Sequence, residues 1–142
     1  MKRRLIALGM ICCMLMAPVT VWGNTSAYSS EEIATPWYTY VNVVNTILSI
    51  DDGVATCHVK VFENSSKPFD YSKLTVYLKK SSGTTVKTFT ATKYPSSLGY
   101  FTWTDTYNLT AKGTYYIKAV NKLYKDGSLV ETITTTSVNQ TY

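Results

Sequence analysis

Arginine is almost missing from this 142-residue chain: its two arginines, Arg3 and Arg4, both lie in the first four residues. Without guanidinium forks to grip phosphates or base edges, nucleic-acid binding has no support, and no nucleic-acid partner is expected. Histidine occurs once, at His58, with no second histidine or cysteine at ligand spacing. That excludes the familiar zinc patterns, and no metal or cofactor is expected. There is no Gly-x-Ser-x-Gly, no glycine-rich phosphate loop and no His-Glu-x-x-His, so the common hydrolase, nucleotide and metalloprotease machineries are absent. Beyond residue 35 no amphipathic helical period persists, which points away from helical architectures.

The first residues, "MKRRLIALGMICCMLMAPVTVWG", carry Lys2, Arg3 and Arg4, an unbroken apolar run from Leu5 to Met16, and a break at Ala17-Pro18. This is the layout of a secretory signal peptide, with Val21 and Gly23 small enough for a cut before Asn24; a cut after Ala27 is the alternative. The apolar run is shorter than the roughly 20 residues of a spanning helix. Secretion without stable membrane insertion is therefore expected, and a retained anchor is the rival reading. Cys12 and Cys13 lie within the run without the small residue expected ahead of a lipidated cysteine. Neither an LPxTG-like motif nor a C-terminal hydrophobic tail occurs, so free release or non-covalent retention is expected.

Residues 24–142 keep 11 lysines and all nine acids, a net charge of +2 against +5 for the whole chain. Cys57 is their only cysteine, so no internal disulfide is expected and the fold must rely on its core. Residues 24–35 ("NTSAYSSEEIAT") read as a flexible lead-in, and 36–142 as one domain.

Strand signals fill that domain: apolar–polar alternation, many Thr, Val and Tyr, and regular turn chemistry. Strands are predicted over 37–50 (one long strand or two short ones), 54–62, 73–80, 84–91, 98–107, 114–124 and 128–137. Turns are predicted at "DDG" (51–53), "SSG" (81–83) and "KDG" (125–127). Leu74, Val76 and Leu78 share one face, as do Phe101 and Trp103, and as do Tyr115, Ile117, Ala119 and Leu123. The phase of the last strand is open between Leu129/Ile133 and Val130/Thr132. Seven strands at this spacing predict an all-β antiparallel sandwich.

The stretch "NLTAKGTYYIKA" (108–119) resembles the corner that opens the sixth strand of immunoglobulin-like and fibronectin-III-like domains. Leu109, Gly113 and Tyr115 match its apolar residue and Gly-x-Tyr. The resemblance implies that Tyr115 packs inward while its hydroxyl bonds backbone upstream. It also puts Cys57 where such domains carry their first disulfide cysteine, with Ile117 in the place of the second. Trp37 and Trp103 are then candidates to fill the volume left by a missing core tryptophan.

Cys57 and His58 are adjacent in a strand, so their side chains point to opposite faces. The imidazole cannot serve the thiol as a base, and Cys57 is expected to be an inert core residue. The acids Asp51, Asp52, Asp70 and Asp126 flank turns; Asp105, within a strand, is the one candidate for carboxylate chemistry. A non-enzymatic binding or structural module, with a protein or glycan partner, is the leading reading. If the third and sixth strands pair, Tyr77, Lys79, Tyr116, Lys118 and Val120 form an outward interaction face. A carbohydrate-binding module using exposed tyrosines is the alternative, with Tyr38 and Tyr40 outward if Trp37, Val41 and Val43 point in. A secreted hydrolase is the remote alternative.

Taken together, "PWYTY", "IDDGVA", "LTVYLKK" and "KGTYYIKA" resemble a family of small secreted proteins of Gram-positive bacteria known only as a domain of unknown function. The resemblance spans most of 36–136. It implies secretion and an immunoglobulin-like sandwich, and it transfers no catalytic or ligand-binding residue.

Overall fold

The computed structural model describes residues 38–142; the signal peptide, the lead-in and Trp37 lie outside the described residues. Eight strands occur in chain order: β1 Val41–Asp51, β2 Val54–Glu63, β3 Tyr71–Lys80, β4 Thr85–Lys93, β5 Tyr100–Asn108, β6 Thr114–Lys125, β7 Ser128–Thr136 and β8 Gln140–Thr141. They form two antiparallel sheets, one ordered β1-β2-β5 and the other β4-β3-β6-β7, with β8 pairing the start of β6. This is the strand order of a fibronectin-III-like sandwich.

Local chemistry explains the hairpins. Asp52 and Gly53 have φ of 44° and 80°, and Asp126 and Gly127 have 50° and 75°. Two consecutive positive φ values make two-residue turns whose twist suits the flanking strands, and Asp-Gly is the pair that adopts them at least cost. Gly53 has a second constraint: a Cβ there would meet the Tyr142 hydroxyl at 2.7 Å.

The core lies between the sheets. Strand β2 contributes Ala55, Cys57, Val59 and Val61; β3 contributes Leu74, Val76 and Leu78; β6 contributes Tyr115, Ile117, Ala119 and Leu123. Each buried Val, Leu or Ile is worth roughly 1.5–3 kcal/mol relative to exposure. Trp103 of β5 meets Phe89 of β4 edge-on, ring centroids 5.4 Å apart, and so joins the two sheets along one margin. At the opposite margin the Thr46 and Thr135 hydroxyls hydrogen-bond at 2.6 Å, linking β1 to β7. Nearby, the Glu131 carboxylate accepts the backbone N–H groups of Thr39 and Tyr40, at 2.9 and 3.0 Å, and fastens the entering chain to β7.

Two β-bulges alter the expected phases. The β1–β2 register shifts between Val41 and Val43. Val41 is therefore buried while Val43, expected inside, faces solvent at 37% exposure. Tyr38 and Tyr40 are correspondingly half-buried and packed against the core instead of standing outward. In β7, Leu123 faces Glu131 but Tyr124 faces Leu129, leaving Val130 as the extra residue. Ile133 is fully buried and Leu129 is 52% exposed, so the bulge splits the inward set that contained both.

One polar pair interrupts the core. Ser72 and Asn121 are fully buried, and the Ser72 hydroxyl donates to Asn121 Oδ1 at 3.3 Å. Asn121 Nδ2 has no partner among the described residues. An unmade buried donor costs about 1–3 kcal/mol, whereas replacing both members of such a pair by apolar groups can be neutral or stabilising. The double variant Ser72→Ala/Asn121→Leu is accordingly expected to raise the unfolding free energy by about 1 kcal/mol. Urea denaturation at unchanged m-value checks this.

Candidate interaction face

The outward side of β3 reads Tyr71, Lys73, Thr75, Tyr77, Lys79, because Ser72, Leu74, Val76 and Leu78 alternate inward. On β6, Tyr116, Lys118, Val120, Lys122 and Tyr124 face out by the same logic. Pairing of β3 with β6 sets these two rows side by side. Tyr71 stands opposite Tyr124, Lys73 opposite Lys122, Thr75 opposite Val120, Tyr77 opposite Lys118, and Lys79 opposite Tyr116. Tyr77, Lys79, Tyr116 and Lys118 thus form one contiguous patch, with each tyrosine facing a lysine.

The flanking strands carry threonine. Thr85, Thr88, Thr90 and Thr92 of β4 oppose the outward residues of β3, and Thr132, Thr134 and Thr136 of β7 oppose those of β6. Four lysines, Lys73, Lys79, Lys118 and Lys122, therefore stand on the outward positions of the central strands, and no acid stands on the outward positions of the four strands. Asp51, Asp52 and Asp126 lie at hairpin turns, Glu63 ends β2, and Asp70 accepts the Asp126 N–H in a loop. Asp105 belongs to the other sheet, and Glu131 is spent on the entering chain. The Lys79 ammonium donates to the Thr85 hydroxyl at 3.0 Å.

At the other end of the face, Tyr71 and Tyr124 stack at 4.9 Å between centroids and 4° between planes. Tyr94, 67% exposed, tilts against Tyr71 at 6.0 Å, and the Lys73 ammonium lies 5.0 Å from the Tyr124 ring. A shallow depression of about 370 Å³ lies beside this cluster, lined by Lys73, Thr75, Thr90 and Thr92 with Leu74 and Ala91. Tyr71, Tyr94, Tyr124, Lys73 and Lys122 went unselected at the sequence level. The signal was there: the Tyr-Lys-Thr-Tyr-Lys alternation of β3 starts two residues before the predicted strand.

The remaining singled-out residues are not gathered at one place. The Tyr115 hydroxyl donates to the Ala111 carbonyl at 2.7 Å, closing the corner that Gly113 opens. Ile117 is buried on β6 of the larger sheet, and Cys57 is a free, buried thiol on β2 of the smaller one. His58 faces the opposite way, its Nδ1 at 2.8 Å from the Thr104 hydroxyl. Asp105 lies opposite Cys57 at the sandwich margin, exposed, with its carboxylate accepting the Thr106 N–H at 2.8 Å. Among the described residues no three His, Cys, Asp or Glu side chains are grouped to hold a metal ion. No helix among them is long and apolar enough to cross a membrane.

The outward side of the smaller sheet differs in kind. Val43, Ile47 and Val54 are exposed there, and the Lys60 ammonium sits 4.5 Å from the Phe62 ring and 4.6 Å from the Tyr100 ring. That side mixes these apolar and aromatic groups with His58, Thr56, Thr102, Thr104 and Thr106 and carries one lysine, whereas the larger sheet carries four lysines among tyrosines and threonines.

No protein-family model matches the sequence, and a search of curated proteins found no match. Among solved structures, one described as "putative beta-galactosidase from bacteroides fragilis" is similar with a TM-score of 0.43 and 20% identity. The likeness covers 66% of this chain and 15% of that one.

Burial pushes the Cys57 thiol up to about 12, and the Asp105 charge adds to the effect. In the unfolded chain the thiol returns to about 9. The folded state therefore holds a proton that the unfolded state loses above that pH. The associated stabilisation is complete below pH 9 and declines as pH rises toward 12. Replacing Cys57 by Ala is expected to lessen the fall in unfolding free energy above pH 9, measured by urea titration at successive pH values. The native thiol is expected to resist a disulfide reagent at pH 8 until urea is added.

Proposed function

We propose that the protein is a non-enzymatic binding module displayed outside the cell, contacting its partner through the outer side of the four-stranded sheet. The observation that carries this reading is the charge layout: four lysines on the outward positions of the two central strands, Lys79 and Lys118 opposite tyrosines and Lys73 opposite Lys122, with no facing acid among the described residues. Guarding against edge-to-edge aggregation is an ordinary use of strand lysines. Here the edges have other guards. Lys87 and Lys93 occupy inward-phase positions of edge strand β4, and Asp105 occupies one on edge strand β5. The central lysines need a different reason, and a ligand of opposite charge supplies one.

Export rests on the N-terminal leader, residues 1–23, and agrees with the resemblance to small secreted Gram-positive proteins. A hydrolytic reading gains nothing from Asp105, whose neighbour across the ladder is a buried thiol with a raised pKa. The absence of arginine from 24–142 weighs against nucleic acid as the partner.

Retention of the purified protein by an envelope fraction of its source cells tests the reading. The double reversal Lys79→Glu/Lys118→Glu is expected to reduce retention about tenfold, as loss of roughly 1.4 kcal/mol would. The control Lys60→Glu/Lys112→Glu, with the same charge change elsewhere, is expected to leave it unchanged. Equal loss in both variants would show that total charge, not this face, governs binding.

A further inference from the structure

We propose that the ligand of this face is a linear acidic polysaccharide, a polymer of sugar rings bearing carboxylates. This rests on the binding role assigned above to the outer side of the larger sheet and names the class of ligand.

Three features of the face narrow the chemistry. The first is charge. Lys73, Lys79, Lys118 and Lys122 present ammonium groups from the middle of the sheet with no facing carboxylate among the described residues. Successive outward positions on one strand are about 6.6 Å apart, and neighbouring strands about 4.8 Å. Lys73 and Lys79, six residues apart, therefore span roughly 20 Å along β3. A spread of point charges over that length suits a repeating anion better than a single charged group.

The second feature is the ring content. Tyr77 and Tyr116 stand among the lysines, half-buried at the base of the patch. Tyr71, Tyr124 and Tyr94 form a cluster at the far end, held by stacking and by the Lys73 ammonium. Aromatic faces pack against the C–H faces of sugar rings, and their stiffness lowers the ordering cost of binding. A phosphodiester polymer without rings would leave them unused.

The third feature is the border. Seven threonines on β4 and β7 line both sides of the patch, and their hydroxyls can donate to and accept from sugar hydroxyls. The only aliphatic side chain on the outward positions of β3 and β6 is Val120. A protein partner would ordinarily require an apolar, desolvated centre. The exposed Val43, Ile47 and Val54 that could supply one belong to the other sheet.

Binding of the purified protein to polygalacturonate, its methyl ester and polyglutamate tests the proposal by separating charge from ring. The methyl ester keeps the rings and removes the charge; polyglutamate keeps the charge and removes the rings. Polygalacturonate is expected to bind at least about tenfold more tightly than either, with affinity falling as salt is added. Lys73→Glu/Lys122→Glu and, separately, Tyr77→Ser/Tyr116→Ser are each expected to weaken it about tenfold; both pairs are at the surface, and circular dichroism verifies folding. Equal affinity for polyglutamate, for polyglycerol phosphate or for single-stranded DNA would overturn the proposal in favour of a general polyanion site. Equal affinity for the methyl ester would remove the role of charge. Should polygalacturonate neither bind nor compete while envelope retention still depends on Lys79 and Lys118, the ligand class is wrong and the binding face stands. Should retention be indifferent to those lysines, the binding face itself is wrong.

Discussion

Everything distinctive about this molecule follows from the register of β3 against β6. That ladder runs through the centre of the larger sheet, with Val76 opposite Ala119 and Tyr77 opposite Lys118. Its inner side supplies buried core residues from both central strands, and its outer side supplies the lysine–tyrosine patch. Because side chains alternate with period two, a slip by one residue would carry Leu74, Val76 and Leu78 into water and bring Lys73, Tyr77 and Lys79 into the core. Burial of those aliphatics therefore holds the outer pattern in place, and core and surface are two readings of one constraint.

The margins of the sandwich are closed by different means. Along one, Phe89 and Trp103 meet between β4 and β5, while Lys87, Lys93 and Asp105 keep the exposed edges charged. Along the other, the Thr46–Thr135 hydrogen bond and the Glu131 carboxylate tie β7 to β1 and to the entering chain. With no disulfide joining the sheets among the described residues, such contacts and the buried aliphatics carry the cohesion that a Cys–Cys pair would supplement. Cys57 contributes as a small apolar side chain whose thiol stays protonated.

Much of the fold was legible in the residues themselves. The Asp-Gly turns at 52–53 and 126–127, the alternation in β2, β3 and β6 and the Gly-x-Tyr corner each encode structure locally. What escaped were features set by distant partners. The bulge that turns Val43 outward depends on how β1 meets β2, and the one at Val130 on how β7 meets β6; neither has a marker in its own strand. Asn121 occupies an inward position between Ala119 and Leu123, where alternation alone favours an apolar residue. The Tyr71–Tyr124 stack was hidden because the pairing of β3 with β6 had to be known first, and because Tyr71 lies where loop and strand composition merge.

The contrast between the two outer sides of the sandwich gives the functional account its direction. The outer side of the smaller sheet carries three exposed aliphatics and a single lysine; that of the larger sheet carries four lysines flanked by tyrosines and threonines, the denser set of groups for an acidic carbohydrate. Its arrangement stands or falls with the β3–β6 register, which cross-strand nuclear Overhauser effects in isotope-labelled protein read directly. The account predicts contacts pairing Tyr77 with Lys118, Lys79 with Tyr116 and Val76 with Ala119. Contacts that place Tyr77 opposite Ile117 or Ala119 would contradict it, since they would put lysines into the core and dissolve the face.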